Sequence, residues 1–191
     1  FCEFNHKKIG FLIKDMLVKN GIDSVYSGDL AIYDEDYLNK ELEKYQFSKD
    51  DKIHFTFAGN IGTVQNLDNV IEGFGKLGNE FLEKVQLNIV GDGSYLEQLK
   101  NIVQEKKFRN IVFWGRKPRE EIFKYLDASD FLIVSLIDKE IFSLTVPAKT
   151  QTYIATNKPV IAIINGEASE IVRENNLGLV CSPSDVEQIK A

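Results

Sequence analysis

From Lys52 onward the chain alternates short apolar runs with amphipathic segments at a nearly constant spacing, and few folds accept that pattern. Six runs read as strands: Ile53–Ala58, Val85–Val90, Asn110–Trp114, Ser129–Leu136, Val160–Ile163 and Gly178–Cys181. Helical segments fall between them. Asn66–Leu77 places Leu67, Val70, Ile71 and Phe74 on one face. Ser94 is placed to cap the next helix, with Glu97 at the capping-box position. Arg119–Leu126 and Glu167–Asn175 supply two more. Strict strand–helix alternation with short links predicts an α/β fold: a Rossmann-like parallel sheet of about six strands with helices on both faces.

In such sheets a ligand sits outside the carboxyl ends of the strands, where the strand order reverses. The loops at those ends are Gly59–Gly62, Gly91–Gly93, Gly115–Pro118, Asp138–Thr145 and Asn165–Glu167. Four of the five carry glycine, which concentrates permissive backbone at one sheet edge. The fourth loop leads into the segment Glu140–Ile163, read as a loop, a helix and a strand. Pro147 suits the first turn of that helix, and Thr145 is placed to cap it. Asn157 can take the left-handed conformation that ends it. A helix start behind hydroxyl-bearing residues attracts anions, and Lys149 adds a formal charge one turn in.

The remaining signals are weaker. Gly59-x-x-Gly62 is half of a dinucleotide fingerprint, and the full G-x-G-x-x-G spacing is absent. Neither a P-loop signature nor G-x-S-x-G occurs. His6 and His54 lack neighbours with metal-ligand spacing and read as structural. Cys2 and Cys181 lie at opposite ends, which suggests a reduced compartment. The net charge of -6 comes without a basic stripe, so nucleic acid is not an expected partner. No apolar run is long enough to span a bilayer. Upstream, Lys7–Lys19 and Tyr37–Tyr45 read as helices and Ser48–Asp51 as a polar linker, which divides the chain into 1–50 and 51–191. Ser184 opens a final helix.

Three phrases go beyond a generic α/β pattern: FAGNIGTVQNLDNVI, LNIVGDGSYLEQL and VPAKTQTYIATNKPVIA. In this order they resemble the C-terminal, nucleotide-sugar-binding half of glycosyltransferase family 4, over roughly residues 52–191. The resemblance implies the GT-B fold, two Rossmann-like domains facing across a cleft. Residues 1–50 would be the tail of the acceptor-side domain, and 51–191 the donor domain of a longer enzyme. It implies a retaining transferase of hexosyl or N-acetylaminosugar units, inactive as this chain alone. The sugar would move from a nucleoside diphosphate to an acceptor hydroxyl in bacterial polysaccharide or glycoconjugate synthesis.

By the same resemblance, Gly59, Asn60 and Gly62 approach the donor phosphates, with Gly91 and Asp92 in the adjacent loop. Arg116 and Lys117 contact the base. Glu140, Phe142, Ser143, Leu144 and Thr145 hold sugar and diphosphate. The family's usual Arg and Lys after the first glycine are Asn60 and, approximately, Gln65 here; its second glutamate falls on Thr152. A subset associated with amino-sugar transfer in bacterial surface polysaccharides is similar to this chain in G-N-I-G and P-A-K-T-Q-T-Y, and makes Lys149 and Gln151 candidates for donor contact. Glu140 and Lys149 are the expected catalytic pair, with Lys149 supplying the charge that Asn60 and Gln65 lack. No metal or other cofactor is expected, and D-x-D is absent. The expected location is cytoplasmic, with peripheral contact at the inner face of the cell membrane through the missing domain and a glycan or lipid-linked sugar as acceptor. A nucleotide-sugar epimerase of the same fold and a non-catalytic α/β binding module stay open as alternatives.

Overall fold

The computed structural model describes residues 52–77 and 82–183. The helices expected in 1–50 and after Ser184 lie outside the described residues. Six strands form one parallel sheet: β1 (Ile53–Asn60), β2 (Val85–Asp92), β3 (Ile111–Gly115), β4 (Phe131–Ser135), β5 (Val160–Ile163) and β6 (Gly178–Cys181). Their order is β3-β2-β1-β4-β5-β6, so the order reverses between β1 and β4. The helices are α1 (Leu67–Gly75), α2 (Leu96–Lys106), α3 (Arg119–Asp127), the single turn α4 (Glu140–Ser143), α5 (Ala148–Ala155) and α6 (Glu167–Glu174).

Each strand feeds two cores, because successive side chains point to opposite faces. Phe57, Leu87, Ile89 and Ile133 face α1 and α2, where Leu67, Val70, Ile71, Phe74 and Leu99 close one layer. Ala58, Val90, Leu132 and Val134 face α3, α5 and α6, where Tyr125, Leu126, Tyr153, Ala168 and Val172 close the other. All four α1 residues predicted to point inward are buried.

Several boundaries differ from the sequence reading for identifiable reasons. The glycines after β1 and β2 do not begin turns: Gly59 pairs with Gly91 and Asn60 with Asp92, so both strands run two residues further. A Cβ on Gly91 would collide with the Gly59 carbonyl oxygen, so this pairing needs glycine. Ser94 and Glu97 do not form a capping box. Tyr95 N–H donates to the Ile61 carbonyl (3.0 Å), which ties this stretch to the loop after β1 and delays α2 to Leu96. Glu97 pairs instead with Lys100 at 2.8 Å. Thr145 does not cap α5 either. Pro147 occupies the cap position with ψ 137°, and the Thr145 hydroxyl turns back to the Phe142 carbonyl at 3.5 Å. Pro147 therefore stands before the helix rather than in its first turn, and Lys149 is the second helical residue rather than one turn in. Residues 140–143, read as loop, form a helical turn. Asn157 is left-handed as expected, at φ 57°.

Candidate nucleotide-sugar site

The loops at the carboxyl edge are joined to one another rather than independent. Ile61 N–H donates to the Asp92 carbonyl at 2.9 Å, and Ile137 N–H to the Val64 carbonyl at 2.9 Å. Asn165 donates to the Asp138 carboxylate at 2.9 Å. Gly166 lies so close to Ser143 that any side chain there would strike the Ser143 backbone. The row therefore runs from the β2 loop through β1 and β4 to β5.

One concavity of about 390 Å3 opens at the ends of β1, β2 and β3, lined by Gly59, Asn60, Gly91, Asp92, Gly93, Arg116, Lys117 and Ile122. Six of the residues singled out in the sequence meet there: Gly59, Asn60, Gly91, Asp92, Arg116 and Lys117. Gly93 and Ile122 complete the wall. Bare glycine backbone on one side and two cations on the other suit an extended anionic ligand. Lys117 lies over the Tyr125 ring, 5.3 Å from its centroid. A second hollow of about 510 Å3 adjoins it outside the row, around Arg116, Lys117, Pro118, Arg119 and Ile122.

The other sequence-selected residues are placed differently. Gly62 is buried, and its N–H donates to the Gln65 side-chain oxygen at 2.7 Å. Gln65 thus closes its own loop. Glu140, Phe142, Ser143, Leu144 and Thr145 sit on and after α4, beyond β4, and do not line the concavity. Ser143 donates to the Glu140 carbonyl at 2.7 Å, Phe142 packs against the core, and Leu144 is 72% exposed. Gln151 and Thr152 are half-buried on α5, and the Thr152 hydroxyl donates within the helix to the Ala148 carbonyl (3.2 Å).

Lys149 is the most constrained of the set. Its Nζ lies 3.8 Å from the centroid of the Phe57 ring. It also rests against Gly59, 3.3 Å from where a Cβ would stand. The Nζ atom is buried and makes no hydrogen bond among the described residues. Burial lowers its pKa from the usual lysine range to about 8. The ammonium reaches from α5, on one face of the sheet, to a ring that packs in the opposite layer.

Sequence reasoning missed Tyr153. Its hydroxyl accepts from Ala58 N–H at 2.8 Å and donates to the Ala58 carbonyl at 3.0 Å. The available signal was its spacing: Tyr153 is four residues after Lys149, on the same helix face. His54 is structural as read, buried with Nδ1 3.2 Å from the Asn88 amide nitrogen. Trp114, at the end of β3, donates to the same Asn88 side chain at 2.9 Å. Among the described residues no group of three or more His, Cys, Asp or Glu could hold a metal ion. Among them, too, no helix is long and apolar enough to cross a membrane.

The 3-2-1-4-5-6 parallel sheet, with its concavity beside the reversal point, defines a Rossmann-like α/β domain. The profile of the family "Glycosyl transferases group 1" matches residues 39–191, and the chain belongs to that family. It is 31% identical over 133 residues to WbjE, a probable glycosyltransferase of Pseudomonas aeruginosa, covering 69% of this chain and 32% of that protein. Among solved structures, HepE of Anabaena in complex with UDP-glucose aligns with a TM-score of 0.65 at 15% identity, over 82% of this chain and 42% of that one. The C-terminal domain of LpcC, a group 1 glycosyl transferase of Francisella tularensis, aligns with a TM-score of 0.62 at 18% identity, over 80% of this chain and 77% of that one. The chain spans 32% to 45% of the length of the curated relatives it matches.

Proposed function

We propose that residues 51–191 are the donor-binding domain of a retaining glycosyltransferase. It would move a sugar from a nucleoside-diphosphate sugar to an acceptor hydroxyl in bacterial polysaccharide or glycoconjugate synthesis. The observation that carries this reading is the buried ammonium of Lys149, without a hydrogen-bond partner among the described residues, against Gly59, which itself lines a glycine-bearing concavity. A diphosphate lying along Gly59, Asn60 and Gly91 would meet bare backbone, with the Lys149 ammonium against Gly59. The first-turn N–H groups of α5 add the positive end of a helix dipole. Arg116 and Lys117 border the opposite end, where the base would lie. Glu140 would hold sugar hydroxyls, and Phe142, Ser143, Leu144 and Thr145 would bound the sugar from beyond β4. Gln151 and Thr152 take the ribose side.

Departure of the diphosphate is the step that needs help, because negative charge develops on its leaving oxygen. Lys149 and the α5 N-terminus would stabilise that charge without a divalent cation. HepE holds UDP-glucose on a fold of this kind, which supports a nucleotide-sugar donor here. The alignment with the C-terminal domain of LpcC supports the placement of residues 51–191 as a C-terminal half. The acceptor side and any contact with the inner face of the membrane would belong to the rest of the protein, and this chain alone would catalyse little.

Calorimetric titration of the full-length protein with UDP- and GDP-sugars tests the reading. Binding of one of them, weakened at least about tenfold by Lys149→Ala, is the expected result. No binding, or an affinity that Lys149→Ala leaves unchanged, would overturn it.

A further inference from the structure

The position of Lys149 poses a problem of charge. A protonated amine needs acceptors, and among the described residues none accepts a hydrogen bond from Nζ. The ring face of Phe57 gives partial compensation at 3.8 Å. Gly59 also lies close and offers no side chain. A buried ammonium without a counter-ion is costly, and the group relieves that cost by releasing its proton.

The surrounding titratable groups do not alter this. On α5, Tyr153 is engaged with both backbone atoms of Ala58, and burial keeps its hydroxyl protonated. On β1, His54 is held toward Asn88. At the end of β2, Asp92 accepts from Gly93 N–H at 2.8 Å. Glu140 on α4 is exposed. Burial alone lowers the Lys149 pKa, to about 8.

Gly59 joins this dock to the concavity: it lines the concavity, and a Cβ on it would stand 3.3 Å from Nζ. We propose that an anionic ligand entering the concavity draws the Lys149 amine out of its dock, and that at alkaline pH, where the docked amine is neutral, solvent supplies a proton to it as the ligand binds. Binding at this site is thereby proton-coupled. No covalent bond forms between protein and ligand. The nitrogen lone pair takes a proton from solvent, and the resulting ammonium pairs with a phosphate oxygen. This inference rests on the nucleotide-sugar reading above and adds a regulation to it: above neutral pH, donor affinity falls as hydroxide concentration rises.

The test is calorimetry on the full-length protein with UDP-glucose and GDP-mannose as probes, whose diphosphates do not titrate in this range. At about pH 8.5, two buffers of different ionisation enthalpy should give different heats, corresponding to uptake of about three-quarters of a proton. At about pH 6.5 the difference should vanish. Affinity should fall about tenfold between about pH 7 and about pH 9. Lys149→Arg, which keeps its charge throughout, should bind with buffer-independent heat and flat pH dependence. Binding with buffer-independent heat at about pH 8.5 in the unaltered protein would overturn the proton coupling and leave the nucleotide-sugar reading standing. Failure of both probes to bind at any of these pH values would overturn both.

Discussion

The hydroxyl of Tyr153 bonds to both the N–H and the carbonyl of Ala58, and so takes the place of a neighbouring strand. β1 and β4 pair at Phe55–Phe131 and Thr56–Leu132. By Ala58 the two strands have parted, which is what opens the crevice at the reversal of strand order. The backbone of Ala58 would then be buried without partners on that side. Tyr153 supplies them from α5. The same helix face carries Lys149 one turn earlier, against Gly59. One anchored helix thus both seals the split sheet and presents its cation to the edge.

Tyr153→Phe should keep the ring packing and lose both hydrogen bonds. Two buried backbone groups would go unsatisfied, at a cost of about 2–4 kcal/mol. Urea unfolding monitored by Trp114 fluorescence measures it. A loss below about 0.5 kcal/mol would mean that β1 and β4 can re-pair without the tyrosine.

Gly91→Ala and Gly115→Ala should differ sharply. At Gly91 a Cβ meets the Gly59 carbonyl oxygen, a backbone atom that cannot yield, and φ is 143°. At Gly115 φ is 68° but nothing stands within 4 Å. We expect at least about 3 kcal/mol of destabilisation for the first and about 1 kcal/mol for the second. Thermal or urea unfolding of the two variants side by side decides it.

Lys149 also gives stability a pH dependence of defined sign. Its pKa is about 8 in the folded chain and near the usual lysine value of about 10.5 when unfolded. Between those values the unfolded chain holds the extra proton, so stability rises with pH. The slope is at most about 1.4 kcal/mol per pH unit. In Lys149→Met this rise should be absent, and the variant should be the more stable protein near pH 7. Urea midpoints from about pH 7 to about pH 10 give the comparison.

Thr150 is buried in the first turn of α5, and its hydroxyl has no hydrogen-bond partner among the described residues. Thr150→Val keeps the shape and removes the unsatisfied oxygen. We expect stability unchanged or raised by about 1 kcal/mol, read from the melting temperature. A marked loss would show that the hydroxyl is satisfied in solution.

The alternation of apolar runs and amphipathic segments was enough to read all six strands, because periodicities of 2 and 3.6 survive in a single sequence. What it misplaced were ends. Ser94 with Glu97 and Thr145 before Pro147 satisfy local capping patterns, yet neither caps a helix. In the first case a hydrogen bond from Tyr95 to Ile61, some thirty residues away, outcompeted the local one. In the second, Pro147 itself holds the cap position. Glycines 59 and 91 looked like turns and proved to be paired strand ends, since nothing local reveals that two backbones lie side by side.

The candidate site was legible to a similar depth. Gly59, Asn60, Gly91, Asp92, Arg116 and Lys117 lie in the edge loops that the pattern predicts and that the resemblance assigns to the donor, and they meet in one concavity; Gly62, Glu140, Phe142, Ser143, Leu144 and Thr145, assigned with them, do not line it. Lys149 was selected for its charge at a helix start.

The sequence by itself determined the parallel α/β fold, the edge that carries the glycine loops and the cation in α5. These follow from patterns of a few residues. The tertiary structure alone decided what that cation touches. It is the parting of β1 from β4, bridged by Tyr153, that lets Lys149 reach Phe57 and Gly59 and leaves its nitrogen without an acceptor. Burial and partnering depend on segments about ninety residues apart, and no local pattern encodes a distance of that kind.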